Sequence, residues 1–127
     1  MKTTLAILLL ALPALSSAAE PSLTKQYADC MDKAIPQMER EECVTAETER
    51  QKAQLNAALK AALKANPGKR KTIQNAQASW LKFRAANCQS YYDPDSDGGG
   101  ASGPMDGIMC EMSMTAARAQ ELRTFAN

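Results

Sequence analysis

The chain contains no histidine, which removes the side chain that most often does acid–base chemistry near neutral pH and the commonest nitrogen ligand for metals. Aromatic residues are scarce as well: one Trp, three Tyr and two Phe in 127 residues, so stacked rings cannot supply the core. Among the four cysteines no two stand in the close C-x-x-C spacing that zinc sites use, which makes a four-cysteine zinc site the weaker reading. Neither sign of charge dominates. A formal net charge of +1 leaves no overall field to draw in nucleic acid or an anionic membrane. The one continuous apolar run, Leu5 to Leu12, falls far short of the roughly 20 residues needed to cross a bilayer.

That run has another meaning. Lys2, the apolar stretch, Pro13 and the small residues Ser16-Ser17-Ala18-Ala19 fit the pattern of a secretory signal, with cleavage expected after Ala19. Residues 1–19 are therefore expected to be a signal peptide and residues 20–127 a single helical domain, periplasmic or secreted, with no membrane insertion after cleavage. Beyond the signal remain about a hundred residues, enough for one modest domain. All four cysteines (Cys30, Cys43, Cys88, Cys110) lie in that part, an even count that predicts two disulfides in an oxidising compartment.

Periodicity predicts an all-α fold: a short N-terminal helix plus a three-helix antiparallel bundle. Ser22 is the expected N-cap of the first helix, in which Leu23, Tyr27, Cys30, Met31 and Ala34 share a face. Pro36 suits the first turn of a second helix running through Ala65, with glutamates early and lysines late, in line with the helix dipole. Its apolar stripe, Leu55, Leu59, Ala62 and Leu63, gives way upstream to Val44, Thr48 and Gln51. Asn66-Pro67-Gly68 is a stop, Gly allowing a left-handed turn. The third helix carries Ile73, Trp80, Phe83 and Tyr91, which with the smaller Ala76 and Asn87 between them fall at three- and four-residue steps, and this stripe, with the lone Trp, is expected to form the centre of the core. A polar, glycine-rich loop from Asp93 to Gly103 precedes a last helix with Met105, Ile108, Met109, Met112, Ala116, Ala119 and Leu122 on one face.

Residues equidistant from a turn face each other in an antiparallel pair. Cys30 and Cys43 flank Pro36 nearly symmetrically, and Cys88 and Cys110 flank Gly98 and Gly99, which favours the pairs Cys30–Cys43 and Cys88–Cys110. All four lie toward one end of the bundle, so a cross-pairing such as Cys43–Cys110 stays open.

The pattern Cys30-Met-Asp, Cys43-x3-Glu47, Leu55-Asn56, Ala76-Gln77-x2-Trp80-x3-Arg84-x3-Cys88, a glycine patch, then Cys110 and Thr115-x2-Arg118-x3-Leu122 resembles the LprI-type lysozyme inhibitor family, also called DUF1311. The resemblance spans nearly all of the chain beyond the signal. Where the family pattern carries Asp, Tyr and Asp, this chain has Lys52, Leu59 and Ala85. The resemblance implies a small exported bacterial helical domain that binds and blocks a lysozyme or another peptidoglycan-degrading enzyme. The alternatives are a structural or envelope-stress accessory protein, or a weak calcium-binding module.

No catalytic residue is expected. Glu47 stands at a family position, and its expected role is structural, paired with Arg84; Trp80, Thr115 and Arg118 are grouped with them as structural. Asp93-x-Asp95-x-Asp97-Gly98 matches the first half of a calcium loop, but Ala101 and Pro104 stand at its ninth and twelfth positions, where oxygen ligands belong. No metal ligand or cofactor is therefore assigned. Met105, Met109, Met112 and Met114 read as core packing rather than copper ligation. Tyr91, Tyr92, Asp93, Asp95 and Asp97 form the expected partner contact, with acidic groups that would attract a cationic enzyme.

Overall fold

The computed structural model describes residues 21–34, 36–93 and 103–127. The proposed signal peptide, and Asp95 and Asp97 in the acidic loop, lie outside the described residues. The described residues form four α-helices, α1 (Lys25–Lys33), α2 (Gln37–Ala65), α3 (Arg70–Gln89) and α4 (Gly103–Thr124), with a 3-10 turn, Pro67–Lys69, between α2 and α3.

α2 is 29 residues long without an internal Gly or Pro, about 43 Å of straight-chain helix formers and alanines. Pro36 is its N-cap, Glu39 lies in its first turn and Lys64 in its last. At the far end Asn66 closes it twice over, its backbone N–H donating to Ala62 O at 3.1 Å and its side-chain Nδ2 to Ala62 O at 3.0 Å. The same Nδ2 donates to Phe125 O at 2.5 Å, tying this end to the C-terminus. No described residue has a positive φ. The chain turns here through the 3-10 segment, so Gly68 is not needed for a left-handed conformation, and a Cβ there would meet open space.

Helices α2 and α4 make the principal contact; α1 lies on α2, and α3 lies on α4. The apolar core gathers Leu55, Ala58 and Ala62 of α2 with Ala119 and Leu122 of α4 and Ile73 of α3, with Leu59, Leu63 and Trp80 packed at its edge. This corrects the expectation that the Trp80 helix is central. Phe83 is 59% exposed and Leu81 42% exposed, while Trp80 is only half-buried. The face of α3 turned inward is Ile73, Gln77, Trp80, Arg84 and Cys88, about 100° round the helix from Phe83 at its centre. Polar residues hold that inner face because their hydrogen-bonding partners stand on α4.

Toward the other end of α2 the interior is polar, with Glu47, Thr48 and Gln51 all buried beside Val44 and Cys43. Small residues dominate the facing side of α4: Gly107, Thr115, Ala116 and Ala119 are buried, with Met112 and Leu122 as its large apolar groups. Of the other methionines expected in the core, Met105 is half-buried and Met109 is 38% exposed.

Both disulfides form with the favoured pairing, Cys30–Cys43 joining α1 to α2 and Cys88–Cys110 joining α3 to α4, with Cα separations of 5.8 and 5.6 Å. Each closes a loop for which chain entropy gives a contribution of about 3 kcal/mol. Replacing Cys88 and Cys110 together by Ala should lower unfolding free energy by roughly that amount in a urea titration. Non-reducing peptide mapping should recover the 30–43 and 88–110 links, and a 43–110 link would contradict the fold.

Candidate functional site

Three groupings of polar or exposed side chains stand out, and each is built on different elements. The first is a carboxylate socket. Glu47 is fully buried on α2, and its carboxylate accepts from Thr24 N at 2.8 Å, Thr24 Oγ1 at 2.5 Å, Gln51 Nε2 at 2.7 Å and Arg50 Nε at 2.7 Å. Thr24 is also the N-cap of α1, where its Oγ1 accepts from Tyr27 N at 3.3 Å. The cap is thus Thr24 rather than Ser22, whose carbonyl instead accepts from Gln51 Nε2 at 3.4 Å. Burial pushes the Glu47 carboxyl toward the neutral form, but the donors from Thr24, Gln51 and Arg50 outweigh it and hold the group below its ordinary pKa. An ionised, four-fold satisfied carboxylate here fastens the start of α1 onto α2.

The second grouping lies between α3 and α4. Arg118 Nε donates to Gln77 Oε1 at 3.0 Å and its Nη1 to Glu121 Oε2 at 2.7 Å. Arg84 Nη1 donates to Thr115 Oγ1 at 2.9 Å, and Thr115 Oγ1 in turn donates to Glu111 O at 2.6 Å. Both guanidinium groups lie over the Trp80 ring, Arg84 at 5.3 Å and Arg118 at 5.8 Å from its centroid. Such cation–π contacts contribute about 0.5–2 kcal/mol depending on desolvation. The expected Glu47–Arg84 pair does not form: Glu47 faces α1, whereas Arg84 faces α4. Trp80, Arg84, Thr115 and Arg118 do come together as one unit, and Glu47 belongs to another.

The third grouping is the end of the bundle stapled by Cys88–Cys110. Met114 Sδ lies 3.6 Å from Cys88 Sγ and 3.8 Å from Cys110 Sγ, contacts between sulfurs that carry no proton once oxidised. Beyond the staple the chain leaves α3 through Tyr91 and Tyr92, 38% and 39% exposed, and reaches the exposed Asp93. Tyr92 lies against Gly107 of α4, where a Cβ would collide with its ring. Burial there, with the nearby Glu111 carboxylate, raises the Tyr92 phenol above its ordinary pKa, so at neutral pH the hydroxyl keeps its proton. Asn87, Tyr91, Asp106, Met109 and Ser113 line a shallow hollow of about 400 Å³ beside the disulfide.

Among the described residues no group of three or more Cys, Asp or Glu is placed to hold a metal ion, and no helix is long and apolar enough to cross a membrane. The profile of the lysozyme inhibitor LprI family matches residues 30–122. The chain belongs to that family. Searches of curated proteins and of solved structures give no match.

Within this LprI-family chain, sequence reasoning did not single out Thr24, Gln51 or Gln77 as polar anchors. Gln77 carried a usable signal, lying three residues before Trp80 and seven before Arg84 on one helical face. Glu47 supplies a direct test. Its depressed folded-state pKa means its contribution is complete above the unfolded carboxyl value and is lost as pH falls through the folded value. Glu47→Gln should therefore cost roughly 2 kcal/mol at neutral pH and flatten the loss of stability below about pH 4.5 in urea titrations. An unchanged acid limb would contradict the ionised socket.

Proposed function

We propose that the protein is an exported binding protein that obstructs a lysozyme or another peptidoglycan-degrading enzyme, and that it makes the contact with the end of the bundle stapled by Cys88–Cys110. The observation that carries this reading is the family match over residues 30–122. Two disulfides suit an oxidising compartment outside the cytoplasm, and the apolar leader with small residues up to Ala19 supports export by a signal peptide.

Chemistry favours the stapled end over the two polar clusters as the contact. Glu47 and Arg118 are consumed by internal hydrogen bonds, whereas Tyr91, Tyr92 and Met109 are exposed beside Asp93 and the half-buried Asp106. Tyrosine and methionine are enriched in binding interfaces, where large side chains supply contact area at modest entropic cost. Aspartates complement a cationic partner and raise its encounter rate. A lysozyme works with two carboxylates in a sugar-binding cleft, and a rigid end carrying acidic and phenolic groups can occupy such a cleft without offering a scissile bond. Inhibition by obstruction needs no catalytic residue of its own, and none is assigned.

The test is a cell-wall lysis assay with the oxidised protein at increasing molar ratio to the enzyme. Inhibition is expected, and the combined change Tyr91→Ala, Tyr92→Ala and Asp93→Asn should weaken it at least tenfold, the loss of about 1.4 kcal/mol or more. No inhibition at several-fold molar excess would leave the accessory-protein reading.

A further inference from the structure

The outward face of α2 combines two patches of opposite charge at one angular position. Buried residues of α2 from Cys43 to Ala62 define its inner side, toward α1 and α4. Centred roughly 150° round the helix lie Met38, Glu41, Glu42, Thr45, Ala46 and Glu49, which with Ile108 of α4 line one hollow. Asn56, Leu59, Lys60, Leu63 and Lys64, with Arg70 from the start of α3, line a second hollow of about 450 Å³. The second set of α2 positions repeats the first about 18 residues on, five helical turns and roughly 27 Å along the axis. An acidic patch and a patch of the half-buried Leu59 and Leu63 rimmed by cations therefore share one side of α2.

Met38 is 71% exposed, the largest value among the large apolar residues. Glu42, Lys60, Lys64 and Arg70 have no ion-pair partner among the described residues. The charges of Glu42, Lys60, Lys64 and Arg70 are thus left uncompensated among the described residues, and the two halves of the face are opposite in sign.

We propose that the outward face of α2 is a self-association surface, on which a second copy of this chain docks antiparallel about a two-fold axis near Lys52 and Ala53. In that register Glu41 lies opposite Lys64 of the other copy and Thr45 opposite Lys60, with Glu42 beside the same cations. Ala46, opposite Leu59 of the other copy, leaves room for that side chain. A two-fold contact repeats every pair, so each interaction counts twice. The stripe is about 40 Å long but one helix wide, and a single helix pair buries less than the roughly 800 Å² per partner of a standard interface. The dimer is accordingly weak and sensitive to salt. It does not depend on the proposed enzyme target.

Sedimentation equilibrium of the oxidised protein, from micromolar to near millimolar, reads this directly. At about 50 mM salt a monomer–dimer equilibrium is expected, with the dissociation constant rising at least tenfold at about 500 mM. Glu41→Lys with Glu42→Lys, and separately Lys60→Glu with Lys64→Glu, should each give monomers of unchanged helicity by circular dichroism. Mixed one to one, the two variants should form a heterodimer, because every opposed pair is then again of opposite sign. A wild-type chain that stays monomeric at low salt overturns the proposal, as does a dimer whose constant the reversals move less than threefold. Failure of the mixed variants to associate overturns it too.

Discussion

Small and polar side chains let α2 and α4 approach along most of their length, and every other element hangs on that pair. Ala58 and Ala62 face Ala119 and Leu122 in the apolar half, and Gly107, Met112, Thr115 and Ala116 continue the α4 side toward the stapled end. Alanine brings little apolar area per residue, and at about 25 cal/mol per Å² an alanine-rich seam gives less than one lined by leucine or phenylalanine. A domain of this size with so thin a core needs staples. The two disulfides attach the weaker elements: Cys30–Cys43 holds α1 on α2, and Cys88–Cys110 holds α3 on α4.

The buried polar residues serve the same end. Glu47 fixes the start of α1 through Thr24, and the Gln77–Arg118 and Arg84–Thr115 bonds set where α3 lies along α4. Apolar contacts are non-directional and tolerate sliding, whereas these bonds are satisfied in one register. The lone Trp acts as a platform for two guanidinium groups rather than as the centre of the core. Because α3 is held only along this edge, Leu81 and Phe83 stay in solvent, and the stapled end carries Tyr91 and Tyr92 on a firm base.

Helix number and order were legible in the sequence because Pro36, Asn66-Pro67 and the glycine-rich loop punctuate strong helical periodicity. Disulfide pairing was legible from the symmetry of the cysteines about those turns. The arrangement of α3 was not: counting large side chains made the Phe83 stripe its inner face, whereas the polar partners on α4 select the Gln77–Arg84 face. No periodicity argument sees that, since the deciding hydrogen bonds join residues far apart in the chain. The same blindness misassigned Glu47 to Arg84. Angular position turns Glu47 to α1, where Thr24 takes its carboxylate. Family membership was legible from the spacing of Cys, Trp and Arg. Of the proposed contact, Tyr91, Tyr92 and Asp93 are exposed and Asp95 and Asp97 fall outside the described residues; exposure does not single these tyrosines out, since Met38, Phe83 and Phe125 are more exposed.

Native-state hydrogen exchange, resolved residue by residue, tests most directly whether α2 and α4 carry the fold. Amides of α2 around residues 51–62 and of α4 around residues 112–122 should exchange slowest, at rates set by global unfolding, while those of α3 around Leu81 and Phe83 open earlier. Slowest exchange centred on Trp80, with α2 and α4 opening first, would contradict the account.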